Sequence, residues 1–428
     1  MNRIFTNLLL AGTLGTAVTL TSCSTERNEP TPSKEVVGQK AFINLSFSQH
    51  KLGTYAVDTN ATADEVKITS ADIFIFDKTT GAMVKHQNIL ASGLNTVTDN
   101  EYSLKNPIET TTGDKVVLIG VNLPASMVTV INNAGNLAGA KQAVATLSTA
   151  TELVNLDGIS MFSTTEVSVT PQSGTTESAS VTVSRMVAKV TVSTPLTGRI
   201  EVAGGYIDIP SLGFALGNIN KTLYPIQQLS ASGIPIVPNR AAAPSFFTLT
   251  PGSVYSAFSA GPAGGLYAVE NSPKNVNATE NETTYVSVKA AFIPKGFADS
   301  NGTVSANPNT AIAATFWTAD KGTGTAKFYF SNLTDATTYA GATGKVEQYV
   351  GGICYYKVAV RTQDSTSKYI YSIKRNNYYK INITSILGLG SMDPEAGATT
   401  PVPEPVNITA SITVQPWNVV SDDVQLTP

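Results

Sequence analysis

The stretch Val406-Asn407-Ile408-Thr409-Ala410-Ser411-Ile412-Thr413-Val414 alternates apolar and polar residues without a fault. Side chains of an extended chain point to opposite faces at every second residue. Val406, Ile408, Ala410, Ile412 and Val414 therefore share one face, and Asn407, Thr409, Ser411 and Thr413 the other. Such a segment suits a sheet with one buried face. Just before it, Pro401-Val402-Pro403-Glu404-Pro405 places proline at every second position. That favours a stiff, extended chain and cannot continue a sheet. A strong strand thus hangs on a stiff tether. It either folds back as the last strand of its own domain or forms an arm that adds to the sheet of another molecule. Burying its apolar face is worth on the order of 10 kcal/mol gross, before ordering costs.

Near the other end, Ala41-Phe42-Ile43-Asn44-Leu45-Ser46-Phe47-Ser48 alternates in the same way, with Ala41, Ile43, Leu45 and Phe47 on one face. The two segments match in chemistry and nearly in length. The expectation is that they are interchangeable. The N-terminal strand fills a groove in the precursor, and once it is cut away a neighbour's C-terminal strand takes its place.

Composition narrows the class. Of 428 residues, 14% are charged and 42% apolar, with a formal net charge of -3. Charged residues are scarce against a typical ~25%, so the surface relies on Thr, Ser, Asn and Gly. A nucleic-acid binder would need a basic surface, which this balance excludes. Two cysteines and two histidines leave no zinc module, no disulfide framework and little room for histidine-centred catalysis. Neither a GxSxG elbow nor a complete phosphate-binding loop occurs, and the SxxK patterns at Ser48 and Ser365 are short enough to arise by chance. No catalytic, metal or cofactor residue is expected.

The N-terminus reads as an address. Arg3 begins a short basic region, Ile4 to Leu20 is apolar or small, and Leu20-Thr21-Ser22-Cys23 follows. This is the pattern of a removable signal peptide, with Cys23 as the lipidated residue. Cys354 is then a lone thiol, expected to be a small buried residue in a strand. In the body, strand signals fall at Ile73–Phe76, Val116–Val121, Val181–Val183, Val187–Val192 and Tyr285–Val288. Ile353–Val360 and Tyr378–Ile383 read as paired strands. Elsewhere residues 220–340 read as short strand candidates separated by irregular loops. Ala140, Val144 and Leu147 recur at helical spacing and predict a short helix within residues 125–153, covering one face of a sheet.

Several further motifs complete the pattern: Ile73-Phe74-Ile75-Phe76-Asp77, Gly158-Ile159-Ser160-Met161-Phe162-Ser163, Arg185-Met186-Val187-Ala188-Lys189-Val190, Arg375-Asn376-Asn377-Tyr378-Tyr379-Lys380-Ile381, and the ending Ile412-Thr413-Val414-Gln415-Pro416-Trp417. With the lipidation signal, their order and spacing resemble the major fimbrial subunits (fimbrillins) of Bacteroidota, which build type V pili, and most closely the short-fimbria subunit type. The resemblance implies an all-β sandwich fold of two transthyretin-like β-rich domains, with the short helix in the first. The expected organisation is a signal peptide (1–22), a lipidated propeptide with the removable strand (23–51), an N-terminal β-domain (52–182), a C-terminal β-domain (183–400), and the tether with its donor strand (401–428).

The implied function is a structural, non-enzymatic subunit. It is exported as an outer-membrane lipoprotein precursor, cut by a protease and polymerised by strand exchange into surface fimbriae. Expected partners are further copies of the chain, accessory fimbrial subunits, the processing protease, and host proteins or glycans. Family members are cut after an arginine beyond the first strand, and this sequence has none between Ser48 and Ala63. Lys51 is the expected cut for a trypsin-like protease, with Tyr55 as the alternative. Trp417 is read as a lock on the end of the donor arm or as plain core packing. The competing reading is a monomeric surface lipoprotein that serves as fimbrial anchor or tip adhesin.

Overall fold

A computed structural model describes residues 38–49, 61–98, 100–155, 157–238, 245–258, 264–273, 278–322, 326–363, 369–394, 402 and 407–416. Cys23, Lys51, Tyr55, Val406 and Trp417 lie outside the described residues. The fold is all-β with a few short helices.

Residues 40–185 build one ten-stranded sheet. Its path runs Met83–Leu90, Ser70–Asp77, Lys115–Val121, Met161–Ser163, Thr176–Arg185, Lys40–Gln49, Glu101–Leu104 and Leu94–Thr98. Val167–Val169 joins at Lys115–Val121, and Ile108–Thr111 joins at Lys40–Gln49. Ile73–Phe76 and Val116–Val121 are apolar on both faces because both faces are covered. On one face Ile73, Ile75, Val117 and Ile119 meet Ile43, Leu45, Phe47, Val181 and Val183, with Leu94, Leu104 and Ile108 closing the core. On the other, Phe74, Phe76, Leu118 and Phe162 meet Met127, Ile131 and Ala140.

Those last three residues lie on the helices Ala125–Asn133 and Leu137–Gln142, so the expected helical cover is present. The second helix is shorter than its spacing suggested. Asn136 caps its start by accepting the Gly139 N–H, and Ala143 turns extended, which leaves Val144 and Leu147 beyond its end. The Gly158–Ser163 motif is a packing device. Gly158 has φ +109 and lies so close to the Lys67 carbonyl that a Cβ would stand 2.3 Å from it. Ser160 Oγ donates to the Asn122 carbonyl, and Ser163 Oγ accepts the Ile119 N–H.

At Met186 the chain changes sheets. The expected boundary between 182 and 183 falls inside the Thr176–Arg185 strand. The next strand, Val187–Ser193, lies between Leu266–Val269 and Asn377–Ile386, and Ile408–Pro416 completes this four-stranded sheet. A six-stranded sheet centres on Tyr285–Pro294, flanked by Gly205–Asp208, Gly213–Gly217 and Ile353–Ala359. The sequence reading paired Ile353–Val360 with Tyr378–Ile383; the two strands lie in different sheets instead. A hairpin needs a tight turn, and the chain from Val360 to Asn376 is too long to supply one. It carries the second strand to a parallel partner, Val187–Ser193. Apart from the ten-residue strand Tyr285–Pro294, residues 220–340 hold short strands joined by loops, plus the unforeseen helix Leu333–Ala340, capped by Asn332 over a small core of Ala319, Phe330 and Tyr339.

Candidate functional site

The first strand, Lys40–Gln49, sits inside the sheet rather than at its margin. One wall is Thr176–Arg185, which runs parallel to it in register from Phe42↔Thr176 to Gln49↔Val183. The opposite wall is in two pieces, Ile108–Thr111 beside Lys40–Ile43 and Glu101–Leu104 beside Ser46–Ser48. Ala41, Ile43, Leu45 and Phe47 are at most 1% exposed. Phe47 stacks on Tyr102 with ring centroids 5.5 Å apart. Removing this strand would open a long apolar slot with unpaired backbone on both sides. The alternation read from the sequence is therefore the lining of a seat.

The far end of the seat is tied down. Gln49 is buried, and its Nε2 donates to the Val66 carbonyl at 3.0 Å. Val66 ends the short helix Ala63–Val66, whose Glu65 is also buried. One Glu65 carboxylate oxygen accepts the Thr62 N–H at 2.6 Å. The other takes Lys189 Nζ at 2.6 Å and the Tyr267 hydroxyl at 2.5 Å. Arg185 Nε donates to the Glu65 carbonyl. Burial pushes the Arg185 guanidinium down to about 10 and also lowers Lys189, in both cases against the pull of Glu65. Burial raises the Tyr267 hydroxyl, and its bond to Glu65 raises it further. Arg185, Met186 and Lys189 span the change of sheets, so this cluster clamps both sheets to the chain that follows residues 50–60.

The last strand occupies a very different place. Ile408–Pro416 runs antiparallel along Asn377–Ile386 and has its other edge unpaired among the described residues. Ile408 is buried, while Ala410, Ile412 and Val414 are half-buried against the large core. Thr409, Ser411 and Thr413 face solvent. The alternation is as read, and of the two open readings the single chain adopts the fold-back. Its neighbour is firmly set. Arg375 Nε binds Glu270 at 2.7 Å, its two terminal nitrogens reach the Pro225 and Tyr224 carbonyls, and Asn376 turns the chain with φ +61.

Ala41, Ile43, Leu45 and Phe47 are thus brought together in one seat, and Ile408, Ala410, Ile412 and Val414 on one face elsewhere. Cys354 is fully buried, as expected, and burial raises its thiol to about 11. Glu65 and Glu270 were missed. The cations inside apolar runs, Arg185 and Lys189, signal a buried counter-charge, but its position is 120 residues distant from Arg185 in sequence and so not readable from it.

Residues 347–423, which include the Asn377–Ile386 and Ile408–Pro416 strands, match the family model described as major fimbrial subunit protein type IV, fimbrillin, C-terminal. Through this segment the chain is similar to the fimbrillins. No curated protein sequence matches this chain. Among solved structures, one described as a cell adhesion protein from Parabacteroides distasonis ATCC 8503 has a TM-score of 0.52 at 15% identity, covering 90% of this chain and 100% of that one. A fimbrilin from Porphyromonas gingivalis W83 has a TM-score of 0.49 at 17% identity, covering 89% and 99%. The tip fimbrial protein Mfa3 from P. gingivalis has 0.42 at 13%, covering 87% and 99%. At these identities the first likeness speaks for the fold alone.

Proposed function

We propose that this chain is a fimbrillin, a structural subunit of a surface fimbria, assembled by protease-triggered strand exchange. In this reading the chain is exported as a lipoprotein anchored through Cys23 in the outer membrane. A cut within residues 50–60, at Lys51 or after Tyr55, frees the first strand. The last strand of one subunit then enters the seat of the next, and accessory subunits complete the fibre.

The observation that carries this reading is the contrast between two equivalent strands. The first is held on both sides and dry, and the last lies at an edge with its inward side chains half exposed. A strand that moves from the edge to the seat gains a second ladder and completes the burial of its inward face, and full burial of a large aliphatic side chain is worth ~1.5–3 kcal/mol. Emptying the seat creates the demand, and the edge strand is the supply.

The test is the N-terminus and intact mass of the protein taken from the cell surface. A chain that begins between His50 and Ala63, in an SDS-resistant ladder that collapses on boiling, supports the reading. A lipidated Cys23 on a monomer overturns it and leaves the anchor or tip-adhesin alternative.

A further inference from the structure

We propose that the seat takes residues Ala410 to Asn418 of a second copy in one register and one direction: Ala410 where Ala41 sits, chain running as the first strand runs. This rests on the strand-exchange reading and adds the alignment of the two strands. The seat has five inward positions. Ala41, Ile43, Leu45 and Phe47 are apolar and dry, and Gln49 places an amide against the Val66 carbonyl. The sequence Ala410-Ser411-Ile412-Thr413-Val414-Gln415-Pro416-Trp417-Asn418 offers alanine, isoleucine, valine, proline and asparagine at alternate positions. Laid on the seat, alanine replaces alanine, isoleucine replaces isoleucine, and valine replaces leucine with one methylene less. At the end an amide meets the place of an amide. Outward, Thr413 falls on the exposed Asn44. Val414 and Asn418 are each one methylene short, and Pro416 in the place of Phe47 is smaller, stays apolar and gives up the one ladder bond that its missing N–H would have donated.

Other alignments fit worse. Close-packed sites resist both overfilling and truncation. A slide of two residues puts Ile408 in the alanine site and Ala410 in the Ile43 site. A slide of four puts Val406 in the alanine site, Ala410 in the Leu45 site and Val414 against the Val66 carbonyl, which then has no amide. Direction is a separate question, because Val406, Ile408, Ala410, Ile412 and Val414 read the same from either end. Reversed about Ala410, the strand sends Glu404 into the Phe47 site, and a carboxylate buried without a partner is strongly disfavoured.

The register predicts a neighbour. Asn44 stands beside Ser178 of the Thr176–Arg185 strand, and both side chains are exposed. Thr413 of the entering copy therefore stands beside Ser178, at a spacing a disulfide can bridge. Within one chain Thr413 pairs with Lys380, so any such bond joins two copies. Cells would express Ser178→Cys with Thr413→Cys, Ser411→Cys or Thr409→Cys, each first shown to give the heat-labile ladder in the presence of reductant. The expected result is a ladder that survives boiling until reductant is added, for Thr413→Cys alone. Linkage through Ser411→Cys or Thr409→Cys in intact ladders overturns the register and leaves strand exchange standing. A wild-type protein without any ladder overturns both. A second measurement is independent of the crosslink. Ala410→Leu overfills the Ala41 site and lowers the temperature at which the ladder collapses. Under the four-residue slide it fills the Leu45 site and raises that temperature.

Discussion

Glu65 holds more than any other single residue near the seat. It is nearly fully buried, takes Lys189 and Tyr267 on one oxygen, and caps its own helix with the other. Loss of one partner from a buried ion pair typically costs ~3–5 kcal/mol, because the remaining charge stays desolvated. Glu65→Gln is expected to lower stability by about that amount in urea unfolding, whereas Lys40→Gln, which breaks the exposed pair with Glu109, should leave the unfolding midpoint nearly unchanged. Cys354 makes a pH prediction. Its thiol is raised to about 11 in the folded chain from an ordinary value of 9.0. The unfolded chain therefore loses this proton first as pH rises. Stability present below pH 9 declines toward pH 11, by up to about 2–3 kcal/mol from this group. Cys354→Ala should flatten the part of the decline that belongs to the thiol, and thiol reagents should not label the folded protein at pH 8.

At the scale of elements, the first and last strands carry the assembly argument. Ile412→Asp is expected to leave a folded monomer and abolish the ladder, since the half-buried site at the edge tolerates a carboxylate that the dry seat does not. Gel electrophoresis of boiled and unboiled samples, with circular dichroism of the monomer, checks both halves. The strands themselves were legible because period-two alternation is a local property. Residues 41–47 and 408–414 display it without interruption, and the runs at 73–76 and 116–121, without a polar side chain, mark strands covered on both faces. Partner choice was not legible. Ile353–Ala359 and Asn377–Ile386 are both apolar-rich, tyrosine-bearing strands, yet one pairs with Tyr285–Pro294 and the other with Val187–Ser193. Nothing within a strand names its neighbour when the connection is long. The seat was foreseen as a groove, but its floor needed the other strands to define it. Its locking cluster joins residues near 65, 185 and 267, a contact only tertiary structure makes.

For the whole molecule, the filled seat leaves the uncut chain self-capped. The uncut chain is expected to remain monomeric across concentrations in size-exclusion chromatography, and limited trypsin at the segment after Gln49 should start polymerisation. Deletion of residues 401–428 should leave cutting intact and stop growth, which separates processing from assembly. A protein that polymerises without any cut would refute this account.

The long parallel wall of the seat also has a mechanical meaning. Whatever strand lies there is bonded along its length, from the Phe42 position to the Gln49 position on one side and in two patches on the other. A pull along the strand axis loads these rungs together, in shear, whereas a pull across it opens them one by one. A joint made through such a seat would resist a pull along the strand far better than peeling across it.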